Sequence, residues 1–124
     1  MGLIKRFNNQ EETKKSTRYY SSKQEKKVAK ELGAKITPNS GATMFQKGDL
    51  ILDNWLLECK TQTKSKESFT IKKEWFEKNL RESVMMGKDY TAVVFNFGPD
   101  QENYYVIDEK TFQELLQLQQ NNVV

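Results

Sequence analysis

Two short apolar runs carry charge where a packed strand would not: Gly48-Asp49-Leu50-Ile51-Leu52 and Leu56-Leu57-Glu58-Cys59-Lys60. Taking a carboxylate out of water is costly unless it is paired or holds a cation. Residues two apart on a strand point to the same face, so Glu58 and Lys60 share one face, while Leu57, Cys59 and Thr61 turn to the other and can pack on a helix. If the run starting at Asp49 pairs with the second across a hairpin, two carboxylates meet a lysine on that charged face. Such a set binds a hard divalent cation through oxygen, which can polarise a phosphoryl group and acidify water. Lys60 would orient that water or offset charge developing in the transition state.

Other chemistries are closed off by what the chain lacks. There is no histidine and a single cysteine, so Ser-His and Cys-His catalysis, an ordinary zinc site and an intramolecular disulfide are all excluded. Cys59 faces the core side of its strand and reads as a small hydrophobe. The net charge of +3 conceals a gradient, with ten Lys and Arg against four acids in residues 1–35 but one against six in residues 89–124. A basic front suits a polyanionic partner, although a solvated surface accounts for charge alone equally well.

The elements that must position these residues follow from pattern. With 124 residues the chain suits one domain. Residues 1–20 have no periodicity and read as a flexible basic arm ending in Tyr19-Tyr20, with the folded domain at 21–124. Val28, Ala29 and Leu32 share a helical face from Ser22 to Leu32. Ser22 with Glu25 makes a capping-box pattern, and Gly33 ends the helix. Pro38, Asn39, Ser40 and Gly41 are turn chemistry. Strands Asp49–Asp53 and Trp55–Gln62 meet at Asp53-Asn54.

A second helix is expected between Ile71 and Met86, with Ile71, Trp75, Phe76, Leu80 and Val84 as its apolar face, Ser68 or Thr70 as cap and Gly87 as stop. Thr91–Phe97 and Tyr104–Ile107 read as strands around Gly98-Pro99-Asp100. Thr111–Gln120 reads as a terminal helix capped by Asp108 or Thr111, with Phe112, Leu115, Leu116 and Leu118 apolar. The order is αββαββα, an α/β fold with a mixed central sheet flanked by helices. No run approaches bilayer length and no leader pattern opens the chain, which points to the cytoplasm.

The order helix Glu, then Asp, then Glu-x-Lys resembles the PD-(D/E)xK nuclease superfamily, here as Glu25, Gly48-Asp49 and Glu58-Cys59-Lys60. Within it, Ser40-Gly41-Ala42 ahead of Gly48-Asp49 is similar to archaeal Holliday junction resolvases and their phage-encoded relatives. The resemblance spans residues 22–108, and Gly48 stands where the literal motif has proline. It implies a restriction-endonuclease-like core and Mg²⁺ or Mn²⁺ held by Glu25, Asp49 and Glu58, with Lys60 catalytic and Ser40 auxiliary. It further implies hydrolysis of DNA phosphodiesters in the host cytoplasm, if the gene is a phage's.

A four-way junction has two-fold symmetry, so paired cuts call for a homodimer. Lys5, Arg6, Lys14, Lys15, Arg18, Lys64 and Lys66 would then contact phosphates, and Gln62 would extend the catalytic face toward metal water or DNA. Tyr19 and Tyr20 would stack on exposed bases or anchor the arm to protein. Two other readings stay open: a restriction, nicking or repair nuclease of the same superfamily, and a DNA-binding protein that keeps the fold without turnover. Glu25 can also serve the capping box with Ser22, and Ser40 is a turn residue that only the resemblance makes a site candidate.

Overall fold

A computed structural model describes residues 17–37 and 49–122, with the side chain of Asp49 outside the description. Helix α1 (Thr17–Leu32) leads into β1 (Lys35–Ile36), β2 (Asp49–Leu52) and β3 (Trp55–Lys60). Helix α2 (Lys73–Met86) follows, then β4 (Tyr90–Phe95), β5 (Tyr104–Val106) and α3 (Glu109–Asn121). The five strands form one mixed sheet in chain order, antiparallel except for the parallel β3–β4 pair. That parallel pair is joined by α2, since parallel neighbours need a crossover long enough to hold a helix.

Local chemistry explains most boundaries. Asp53 takes a positive φ of 50° in the turn between β2 and β3, a conformation Asp tolerates and tight hairpins require. Gly87 closes α2 at φ 69°, and the next N–H, from Lys88, reaches back to the carbonyl of Ser83 at 2.8 Å, the pairing of a left-handed helix stop. Asp108 caps α3 by accepting from the Thr111 N–H at 2.7 Å. Among the described residues, no helix is long and apolar enough to cross a membrane.

Four expectations need correction. Helix α1 begins at Thr17 and not Ser22, so Tyr19 and Tyr20 belong to a helix, their rings packed edge to face at 5.2 Å. Ser22 is therefore interior to the helix and cannot form a capping box with Glu25. A short strand, β1, adds a fifth member to the sheet, because residues 35–36 can extend the β2 ladder. Helix α2 starts at Lys73 with Lys72 at its N-cap and no side-chain capping bond, so Ser68 and Thr70 are not caps.

The rotation of α2 is the fourth difference. Leu80 and Val84 were expected to face the core, yet they are 59% and 73% exposed, while Asn79, Glu82 and Ser83 are buried. Asn79 Nδ2 donates to the Ala92 carbonyl on β4 at 3.3 Å. The face of the sheet beneath α2 carries a buried carboxylate, and a polar helix strip satisfies it where an apolar one would not.

Side-chain alternation on β3 holds. Leu57 and Cys59 join Val28 of α1, Leu50, Ala92 and Val94 in the main core. Leu56, Glu58 and Lys60 occupy the opposite face, in register with Thr91, Val93 and Phe95 of β4.

Candidate active site

Glu58 is the centre of the charged face and only 2% exposed. Its Oε1 forms an ion pair with Lys60 Nζ at 3.2 Å and accepts a hydrogen bond from Lys78 Nζ at 3.4 Å. Because Glu58 and Lys60 sit two apart on β3, their contact is a direct product of strand alternation. Lys60 also lies over the ring of Trp75, 4.9 Å from its centroid, so its ammonium is held between a carboxylate and an aromatic face.

The hairpin brings Asp49 opposite Glu58 in the antiparallel ladder, and directly opposed positions belong to the same sheet face. Glu25 lies in the third turn of α1. It is buried, and its carboxyl is held above the usual carboxylate range, first by burial and then by the charge of Glu58. Glu25 and Glu58 are thus two buried carboxylates that interact, and oxygen donors of this kind suit a hard divalent cation. Among the described residues, no group of three or more His, Cys, Asp or Glu is arranged to hold a metal ion; Glu25 and Glu58 are the described carboxylates of the expected set.

The backbone around this point is braced by Gln24. Its Nε2 donates to the carbonyl of Lys60 at 2.8 Å and to Asn103 Oδ1 at 3.2 Å, tying α1 to the end of β3 and to the segment before β5. Thr61 Oγ1 donates to Asn96 Oδ1 at 2.7 Å in the same network. Fixing the carbonyl of Lys60 in this way holds the end of β3 from which its side chain projects.

Of the other expected residues, Arg18, Lys64 and Lys66 are exposed, as phosphate contacts must be. Exposed Lys23, Lys26, Lys27 and Lys30 add further positive charge along α1, and Lys23 also pairs with Asp100 at 2.8 Å. Gln62 lies beyond the end of β3 and donates from Nε2 to the carbonyl of Ser68 at 3.1 Å, so it braces the loop after the strand. Ser40, Lys5, Arg6, Lys14, Lys15 and the side chain of Asp49 lie outside the described residues.

Sequence reasoning missed Lys78 and Glu82. Lys78 Nζ bridges Glu58 and Glu82, the latter at 3.6 Å. Their signal was present: Trp75, Lys78, Asn79 and Glu82 recur at helical spacing on one face of α2. The apolar stripe alongside drew the assignment to the wrong face.

No family model, curated protein or solved structure matches the chain.

Proposed function

We propose that this protein is a metal-dependent DNA endonuclease with a restriction-endonuclease-like core, cutting branched duplexes and four-way junctions above all. The observation that carries the reading is Glu58: a buried carboxylate on β3, in contact with Lys60 two residues on, opposite Asp49 in the hairpin and close enough to Glu25 to raise its pKa. A non-catalytic sheet has no physical need for that arrangement, since an apolar residue at position 58 would be cheaper.

Glu25, Asp49 and Glu58 would hold Mg²⁺ or Mn²⁺, hard ions suited to all-oxygen donors. Such an ion supplies Lewis-acid polarisation of a phosphoryl oxygen and acidifies water at neutral pH. Lys60 keeps its ammonium beside Glu58, where it orients an attacking water and offsets negative charge as the phosphorane-like transition state develops. The basic exposed side of α1, with Lys64 and Lys66, would track the phosphates without reading sequence.

Two opposed cuts require two equivalent sites, hence a homodimer. Exposed Leu80 and Val84 on α2, with Phe112 and Leu118 on α3, offer apolar surface of the kind that associates. The test is cleavage of a synthetic four-way junction with Mg²⁺, mapped for symmetric nicks beside flap, nicked and linear duplexes. Paired nicks confined to the junction support the full reading, and comparable cutting of linear duplex assigns another nuclease role. Tight DNA binding without any cleavage in Mg²⁺ or Mn²⁺ rejects catalysis.

A further inference from the structure

Helix α2 sits on the sheet in an orientation that its apolar residues do not favour. A helix packed by its apolar stripe would bury Leu80 and Val84 and leave Lys78 and Glu82 in water. Here Leu80 and Val84 are exposed, Lys78 is 21% exposed and Glu82 is buried. Lys78 Nζ lies 3.4 Å from Glu58 Oε1 and 3.6 Å from Glu82 Oε1, so one ammonium is shared by two buried carboxylates on different elements. The other oxygen of Glu82, Oε2, has no hydrogen-bond partner among the described residues and is free to take the lysine more closely.

We infer that Lys78 is the resident counter-ion of the carboxylate cluster, neutralising Glu58 until a divalent cation arrives and then moving its pairing onto Glu82. The inference rests on the cation-binding reading above and extends it to how the site is kept before substrate binds. Glu58 is only 2% exposed, and a buried carboxylate needs a compensating charge. Lys60 supplies one, but it is the strand's own catalytic candidate. Lys78 supplies the second from α2, with an alternative acceptor one helical turn away, so its release needs only rotation about its side-chain bonds. A positive charge at this place opposes the incoming cation, and cation affinity without DNA is held down as a result.

The test is calorimetric titration of the full chain with Mn²⁺ in the absence of DNA. Replacing Lys78 by Met keeps the stem and removes the charge, and Lys78→Gln repeats the test should the methionine variant not fold. The expected result is Mn²⁺ binding about tenfold tighter, the change that corresponds to removing a unit charge about 6 Å from a divalent ion in water-like surroundings. Glu82→Gln, which takes away the alternative acceptor, should weaken Mn²⁺ binding several-fold in the wild-type background. In the Lys78→Met background the same change should have much less effect, because the coupling runs through the lysine.

Equal Glu82→Gln effects in both backgrounds, or unchanged or weaker Mn²⁺ binding by Lys78→Met while the wild type binds, would overturn the inference alone. Loss of junction binding in Ca²⁺ with Mn²⁺ affinity unchanged would make Lys78 a phosphate contact instead. No Mn²⁺ binding by the folded wild type would overturn the cation-site reading and this inference together.

Discussion

Replacing Glu58 by Gln tests the site at its centre, because the change keeps the shape and removes the charge. Two charge-assisted contacts at Oε1 are weakened, from Lys60 at 3.2 Å and Lys78 at 3.4 Å. Contacts to a charged group are worth about 1.5–3 kcal/mol each when fully formed and shielded. Both ammoniums keep partial access to water, and Lys60 keeps the Trp75 ring, so each loss is nearer ~1 kcal/mol. Against this, the variant no longer buries a carboxylate and no longer opposes ionisation of Glu25.

The net cost should be about 1 kcal/mol, a fall in melting temperature of roughly 3–5 °C for a domain of this size. Under the proposed function, cleavage is affected on another scale. Loss of an anionic ligand and of the orienting partner of Lys60 should lower the single-turnover rate by about 10²–10³, equivalent to ~3–4 kcal/mol of transition-state stabilisation. The assay is cleavage of an end-labelled four-way junction in Mg²⁺, paired with a thermal melt of the same preparation. A variant that melts in the expected window and cuts within about threefold of wild type would refute the assignment of Glu58.

Three further outcomes follow from the same contacts. Glu25 is harder to ionise when folded than its ordinary value of 4.5, so its ionisation penalises the fold: the penalty is absent below that value and complete above the raised folded pKa. Glu25→Gln should therefore melt higher than wild type at neutral pH, with the gain shrinking toward pH 4, and a gain independent of pH would refute the burial argument. Asp108→Ala removes the cap of α3 and should cost about 1 kcal/mol, read as faster amide exchange in the first turn of α3. The Thr111 contact lowers the Asp108 pKa below 3.8, so that contribution persists above its ordinary value and is lost as pH falls through the lowered one. Gly98→Ala places a Cβ 2.7 Å from Ser65 Cα, and moving that backbone should cost ~1–3 kcal/mol in a denaturant titration.

How much of the site was legible in the chain depends on the reach of each interaction. Period-two alternation puts Glu58 with Lys60 and Leu57 with Cys59 whatever the rest of the fold does, and the observed contact and core agree. The Asp53-Asn54 turn sets the register that opposes Asp49 to Glu58, and Gly87 and Asp108 end and begin helices through bonds spanning a few residues. These are local rules, and the sequence by itself determined them.

Tertiary structure decided the rest. The start of α1 at Thr17 overrides a capping pattern at Ser22, since a helix continues wherever packing and propensity allow. The rotation of α2 depends on what lies beneath it: a stripe of Leu80 and Val84 argues for one face, but a buried Glu58 on a distant strand requires Lys78, and Asn79 finds the Ala92 carbonyl. No window of sequence contains both sides of that balance. Charge burial is settled between elements, so the partners of Glu58 on α2 emerge only once the crossover has laid the helix across the sheet.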